Sequence, residues 1–147
     1  MQNRDVSVIL LGTWQLVSVE VRFNDKGVIY PWGQDPVGYL MYTSDGHMSG
    51  VISQRERPRF AGDDILEGSL AELAQAARSY LSYGGTYTIR DDVVIHHVLF
   101  SLFPNWVEQE QIRYIDAITN DTLVLRTPPL IGGERGGAGY LIWERAR

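Results

Sequence analysis

Eight runs of β-branched and aromatic residues follow one another along this chain, and only short polar or glycine-bearing breaks separate most of them. That rhythm confines the fold to antiparallel β architecture. The runs cover 12–23, 37–43, 47–53, 86–90, 93–102, 111–118, 122–127 and 139–146. Asn24 to Gly27 is a turn by composition, and Asp45-Gly46 joins two runs as a hairpin. Val28 to Pro36 holds two prolines and a glycine and reads as a structured loop. One segment breaks the pattern. From Ser69 to Tyr83 the chain is rich in Ala and Leu, with Leu70, Leu73, Ala77 and Leu81 at helical spacing. Ser69 and Glu72 form a capping-box pair, and Gly84-Gly85 marks the expected stop. The sequence predicts an all-β fold: an eight-stranded antiparallel up-and-down barrel, with one α-helix inserted between strands 3 and 4 as a lid or plug. An open sandwich is the rival, since it shows the same spacing of short strands.

A chain of 147 residues makes one domain, 1–147, and can bury a core without disulfides or metals. The net charge of −5 argues against a nucleic-acid binder. There is no cysteine, which excludes disulfides, thiolate zinc sites and a cysteine nucleophile. The apolar run Val8 to Leu11 is too short for the core of a signal peptide, and no stretch approaches the ~20 apolar residues of a membrane span. The expectation is a soluble, cytoplasmic protein with no membrane partner.

Several pieces, in order along most of the chain, resemble the bacterial lipocalin-like domain family within the calycin barrels. They are "GTWQLVSVEV", "DPVGYLMYTSDGHMS", "RPRFAG", "HHVLFSLFPNW", "QIRY" and "YLIWERA". The resemblance implies an eight-stranded barrel with an interior cavity. It also implies an arginine laid over the tryptophan of the first strand, here Arg145 on Trp14. The topology agrees, because an up-and-down barrel sets its last strand beside its first. Secreted lipocalins place their helix after the barrel and usually carry disulfides, so an extracellular carrier role is not transferred.

Strand parity sorts the remaining candidates. With Trp14 inward, Leu16, Ser18 and Glu20 also point inward, unless a bulge swaps the faces midway. Glu20 is thus a cavity carboxylate or a surface charge. In "VVIHHVLFSLFPNW" the face with Val94, His96, Val98, Phe100 and Leu102 is the more aromatic, which puts His96 inside and His97 outside. Arg113 points inward, where an interior cation needs a carboxylate such as Glu20 or a bound anion, or outward with Ile112 and Tyr114 inside. Among eight tyrosines and four tryptophans, Tyr39, Tyr42, Tyr83, Tyr87, Trp106 and Trp143 are candidates to line a pocket. Asn105 and Trp106 sit at a barrel rim, as a gate or as a cap on the core.

Other chemistries fit poorly. The three histidines give no metal site, because adjacent strand residues point apart. A haem on His96 would need an apolar pocket and is set aside, so no cofactor is expected. There is no Gly-x-Ser-x-Gly elbow, and the glycine-rich segment 132–139 matches no phosphate-binding fingerprint. The reading is a small-molecule-binding barrel for an apolar or aromatic ligand. Its ligand-binding candidates are Tyr39, Tyr83, Tyr87, His96, Phe100, Asn105, Trp106, Arg113 and Trp143. The alternative is a cofactor-independent isomerase or cyclase with His96 and Glu20 as acid and base. An outer apolar stripe of Ile95, Leu99, Val17, Val19 and Val21 extends either reading to a homodimer.

Overall fold

A computed structural model describes residues 3–147 of the chain, with side chains from Val6 onward. The elements are α1 (Asn3–Ile9), β1 (Gly12–Arg22), β2 (Val28–Ile29), β3 (Val37–Tyr42), β4 (His47–Ser53), α2 (Leu70–Arg78), β5 (Tyr80–Arg90), β6 (Val93–Ser101), β7 (Glu110–Ile118), β8 (Thr122–Arg126) and β9 (Ala138–Arg145). β1 and β3 to β9 pair antiparallel in sequence order, and β1 pairs with β9 to close the barrel. β2 is a two-residue addition on the far end of β1. This is the eight-stranded barrel, and α2 falls between its third and fourth strands.

Three bulges decide which residues face inward. On β1 the partner register jumps between Leu16 and Ser18, leaving Val17 as the extra residue. Trp14 and Leu16 point inward before the bulge, and Val19 and Val21 after it. On β6, Val98 and Phe100 pair with the adjacent Gly85 and Gly84, so Leu99 is extra. Phe100 is consequently turned outward and is 62% exposed. On β7 the extra residue is Asp116, which shifts the inward face from Arg113 and Ile115 to Ile118. Each bulge reverses the period-2 alternation for the rest of its strand.

The helix is shorter than its Ala/Leu pattern predicts. Its capping box forms as expected, with Ser69 Oγ accepting from the Glu72 N–H and the Glu72 carboxylate accepting from the Ser69 N–H. It ends at Arg78, because Tyr80 to Thr86 pair residue by residue with Ser53 to His47. That ladder outweighs local helix propensity, as tertiary context often does. Gly84 and Gly85 therefore lie within a strand and do not end a helix. A Cβ on Gly85 would lie 2.0 Å from the His97 carbonyl, so only glycine allows the two backbones to approach this closely. α2 has no buried side chain and is neither lid nor plug.

α1 has the plugging role. Its Val6, with Leu10 just beyond its end, is fully buried against Trp14 at one barrel end. The Trp14 indole N–H donates to the Leu10 carbonyl at 2.9 Å. The Arg145 guanidinium lies 3.9 Å from the Trp14 ring centre and donates to the carbonyls of Leu11 and Ile9, each at 2.6 Å, and of Asn120 at 3.0 Å. This end is packed solid, and the free volume lies towards the other.

Candidate functional site

The open half of the barrel holds a cavity of about 390 Å³. Val19, Val21, Leu40, Ile52, Leu125 and Leu141 supply much of its apolar wall. They come from five strands and face inward because each element follows the register set above. The loop carrying Pro31 and Trp32 lies at its margin, as do Trp106 and the segment from Pro128 to Ile131.

His96 lies on the cavity floor, 1% exposed. Its Nε2 is 2.7 Å from the Tyr42 hydroxyl and its Nδ1 is 2.7 Å from the Tyr83 hydroxyl. A neutral imidazole satisfies both: one ring N–H donates to a phenol oxygen and the other nitrogen accepts a phenol O–H. Burial holds the His96 pKa well below its ordinary value, and the Arg113 charge pushes it the same way. Burial likewise raises both phenols; the Arg113 charge partly offsets this at each, and at Tyr83 a hydrogen bond with Arg113 adds to the offset. The floor is thus an uncharged Tyr-His-Tyr bridge under one cation. His97 is outside, bonded to Thr88 Oγ1 at 3.0 Å and 3.5 Å from Glu110.

Arg113 is 6% exposed and lines the cavity. It donates to the Ile112 carbonyl at 2.9 Å, and among the described residues it forms no ion pair. The expected partner Glu20 is absent from the cavity, because the β1 bulge turns it outward to pair with Arg22. A cavity acid or base at Glu20 is therefore corrected. Two further donors are unmatched: among the described residues the indole N–H groups of Trp143 and Trp32 are buried without a hydrogen-bond partner, and both residues line the cavity.

The structure brings Tyr83, His96, Trp106, Arg113 and Trp143 together on this cavity. Trp106 stacks edge-on against Tyr83 at 5.4 Å and against Phe103 at 5.7 Å, so it packs at the rim. Four other candidates lie elsewhere. Tyr39 is 49% exposed on the outer face of β3, and Phe100 is displaced by its bulge. Asn105 is exposed in the turn after β6. Tyr87 stacks on Tyr42 and donates to the Thr43 carbonyl at 2.9 Å, away from the cavity lining. Of the expected outer apolar stripe, Val19, Val21 and Ile95 are buried, which leaves Val17 and Leu99 exposed. Trp32 is an aromatic lining residue that strand reasoning missed. Its signal was a tryptophan set between proline and glycine in a loop.

A closed antiparallel barrel, plugged at one end and hollow at the other, defines a lipocalin-like protein able in principle to enclose a small molecule. The chain belongs to the lipocalin-like domain family, whose model matches residues 11–146. It is 34% identical over 107 residues to the 4'-hydroxy-3'-methoxypropiophenone carrier protein ppsC of Aspergillus oryzae, a match spanning 67% of this chain and 96% of that protein. Its fold is similar to the crystal structure of a lipocalin-like protein from Bacteroides uniformis, with a TM-score of 0.51 and 12% identity, covering 94% of this chain and 99% of that one. No helix among the described residues is long and apolar enough to cross a membrane.

Proposed function

We propose that this protein binds a small oxygen-bearing aromatic molecule in its barrel cavity. The observation that carries the reading is the lining: apolar walls interrupted by Arg113 and the two unmatched indole N–H groups. Buried donors without partners are costly, and an entering ligand with acceptor oxygens removes that cost. The relative from Aspergillus oryzae is by name a carrier of an aryl ketone, a molecule of this type. The test is a titration with 4'-hydroxy-3'-methoxypropiophenone, read by tryptophan fluorescence and native mass spectrometry. Saturable quenching with one ligand per chain is expected, since Trp143 and Trp32 face the cavity. Unchanged fluorescence together with a mass spectrum of bare protein would overturn the reading.

A second reading, an isomerase or cyclase, rests on the Tyr83–His96 pair at the cavity floor. Both His96 nitrogens are occupied by phenols, so any proton would reach a ligand through Tyr83. Catalysed deuterium exchange beside the ketone carbonyl, lost in Tyr83→Phe, supports it; exchange at the uncatalysed rate excludes it for this ketone. The homodimer reading now rests on Val17 and Leu99, with Phe100 added by its bulge. Light scattering decides it, and a monomer at every concentration removes it.

A further inference from the structure

The balance of charge in the cavity says more about the ligand than its shape does. Arg113 is a buried guanidinium with five N–H donors; the Ile112 carbonyl takes one bond from it and the Tyr83 hydroxyl also interacts with it. His96 beneath it is held neutral by its two phenol partners and by burial, so it neither adds to nor cancels the positive charge. The carboxylates that could serve as its counter-ion are engaged elsewhere; Asp116, three residues on, pairs with Arg126. Glu20 is on the outer face with Arg22, and Glu110, at the cavity margin, is largely exposed and faces His97. Trp143 is 2% exposed and, among the described residues, adds an unmatched donor to the cavity lining. Thr127 Oγ1, also on the wall, is already taken: it accepts from the Gly139 N–H and donates to the Pro128 carbonyl. An interior cation surrounded by donors is stabilised most by an anion, which supplies both charge and acceptor lone pairs.

We infer that the cavity selects aromatic molecules carrying an ionised oxygen, as in an aromatic carboxylate, and that Arg113 holds that oxygen. The inference rests on the binding reading above and narrows it to a charge state. Arg113 thereby sets specificity between an acid and its neutral isostere. The apolar wall takes the ring in either case.

The test is a matched pair, 3,4-dimethoxybenzoate and 3,4-dimethoxybenzamide, titrated at pH 7.5 by calorimetry and tryptophan fluorescence. The acid should bind at least about tenfold more tightly than the amide, which corresponds to about 1.4 kcal/mol. Arg113→Gln should weaken the acid far more than the amide, so that the preference for the acid is lost. Arg113→Lys, which keeps the charge, should retain a preference for the acid. Near-UV circular dichroism checks that the variants keep the wild-type packing. If Arg113→Gln fails to fold, the wild-type pair and Arg113→Lys decide the matter. Equal affinities for acid and amide in the wild type would overturn the inference, as would an acid preference that survives in folded Arg113→Gln. Binding of the propiophenone with no binding of either probe overturns this inference alone. Failure of all three compounds to bind overturns the binding reading as well.

Discussion

His96 ties two strands of the barrel's interior together through the Tyr42 and Tyr83 hydroxyls. A neutral imidazole between two phenols satisfies three buried polar groups at once, and protonation would leave a charge in a site that already faces Arg113. Its folded-state pKa lies below the ordinary value near 6.5, so below that pH the unfolded chain binds a proton that the folded chain does not. The stability it lends is fully present above pH 6.5 and is lost as pH falls towards the folded pKa. Thermal melts from pH 7.5 to 5 should show the decline, with a slope of up to about 1.4 kcal/mol per pH unit from this group. A His96→Gln variant that keeps the same decline would assign it to other groups. Tyr42→Phe removes one partner and leaves a ring nitrogen buried and unmatched, at a cost of about 1–3 kcal/mol in chemical denaturation. Tyr42 is outside the cavity lining, so ligand affinity should barely move.

The two helices differ in what they bury, and their energetics should differ accordingly. α1 seats Val6, and with it Leu10, against Trp14, while α2 has no buried side chain and is held by its capping box and a few contacts. Arg57, in the loop before α2, bonds Ser79 Oγ at 2.8 Å and the Ala76 carbonyl at 3.0 Å, tying the end of α2 to that loop. Ser69→Ala removes the cap, worth about 0.5–2 kcal/mol to the helix itself. The expected outcome is local. Amide exchange across Leu70–Arg78 should accelerate while the global melting temperature stays within about a degree, since the barrel gains little from α2. A large fall in global stability would show that α2 is packed more firmly than its exposed face indicates.

For the whole molecule, one barrel end is filled and the other is hollow, and ligand binding should register as stability. A ligand that binds only the folded barrel at about 100 times its Kd adds about 2.7 kcal/mol. For a domain of this size that raises Tm by roughly 5–10 °C. Differential scanning calorimetry with 4'-hydroxy-3'-methoxypropiophenone checks this. A Tm unchanged at a concentration that saturates the fluorescence signal would mean that the compound binds the unfolded chain equally well.

Much of the architecture was legible in local sequence. Eight strands, their order, the helix between the third and fourth, the capping box at Ser69 and the Trp14–Arg145 register follow from periodicity, turn chemistry and resemblance along the chain. These features depend on residues near one another or on a topology with one simple closure. The cavity was only half legible, for a single physical reason. A bulge costs one residue and leaves no mark in composition, yet it reverses every side chain beyond it. Those at Val17 and Leu99 sent Glu20 and Phe100 outside and brought Val19 and Val21 in. Strand pairing likewise took Tyr80–Tyr83 from the helix and set the Tyr83 hydroxyl against His96. The sequence by itself determined a closed barrel with an aromatic interior. Only the tertiary structure decided that its buried arginine has no carboxylate partner among the described residues, because that depends on which way a distant strand faces.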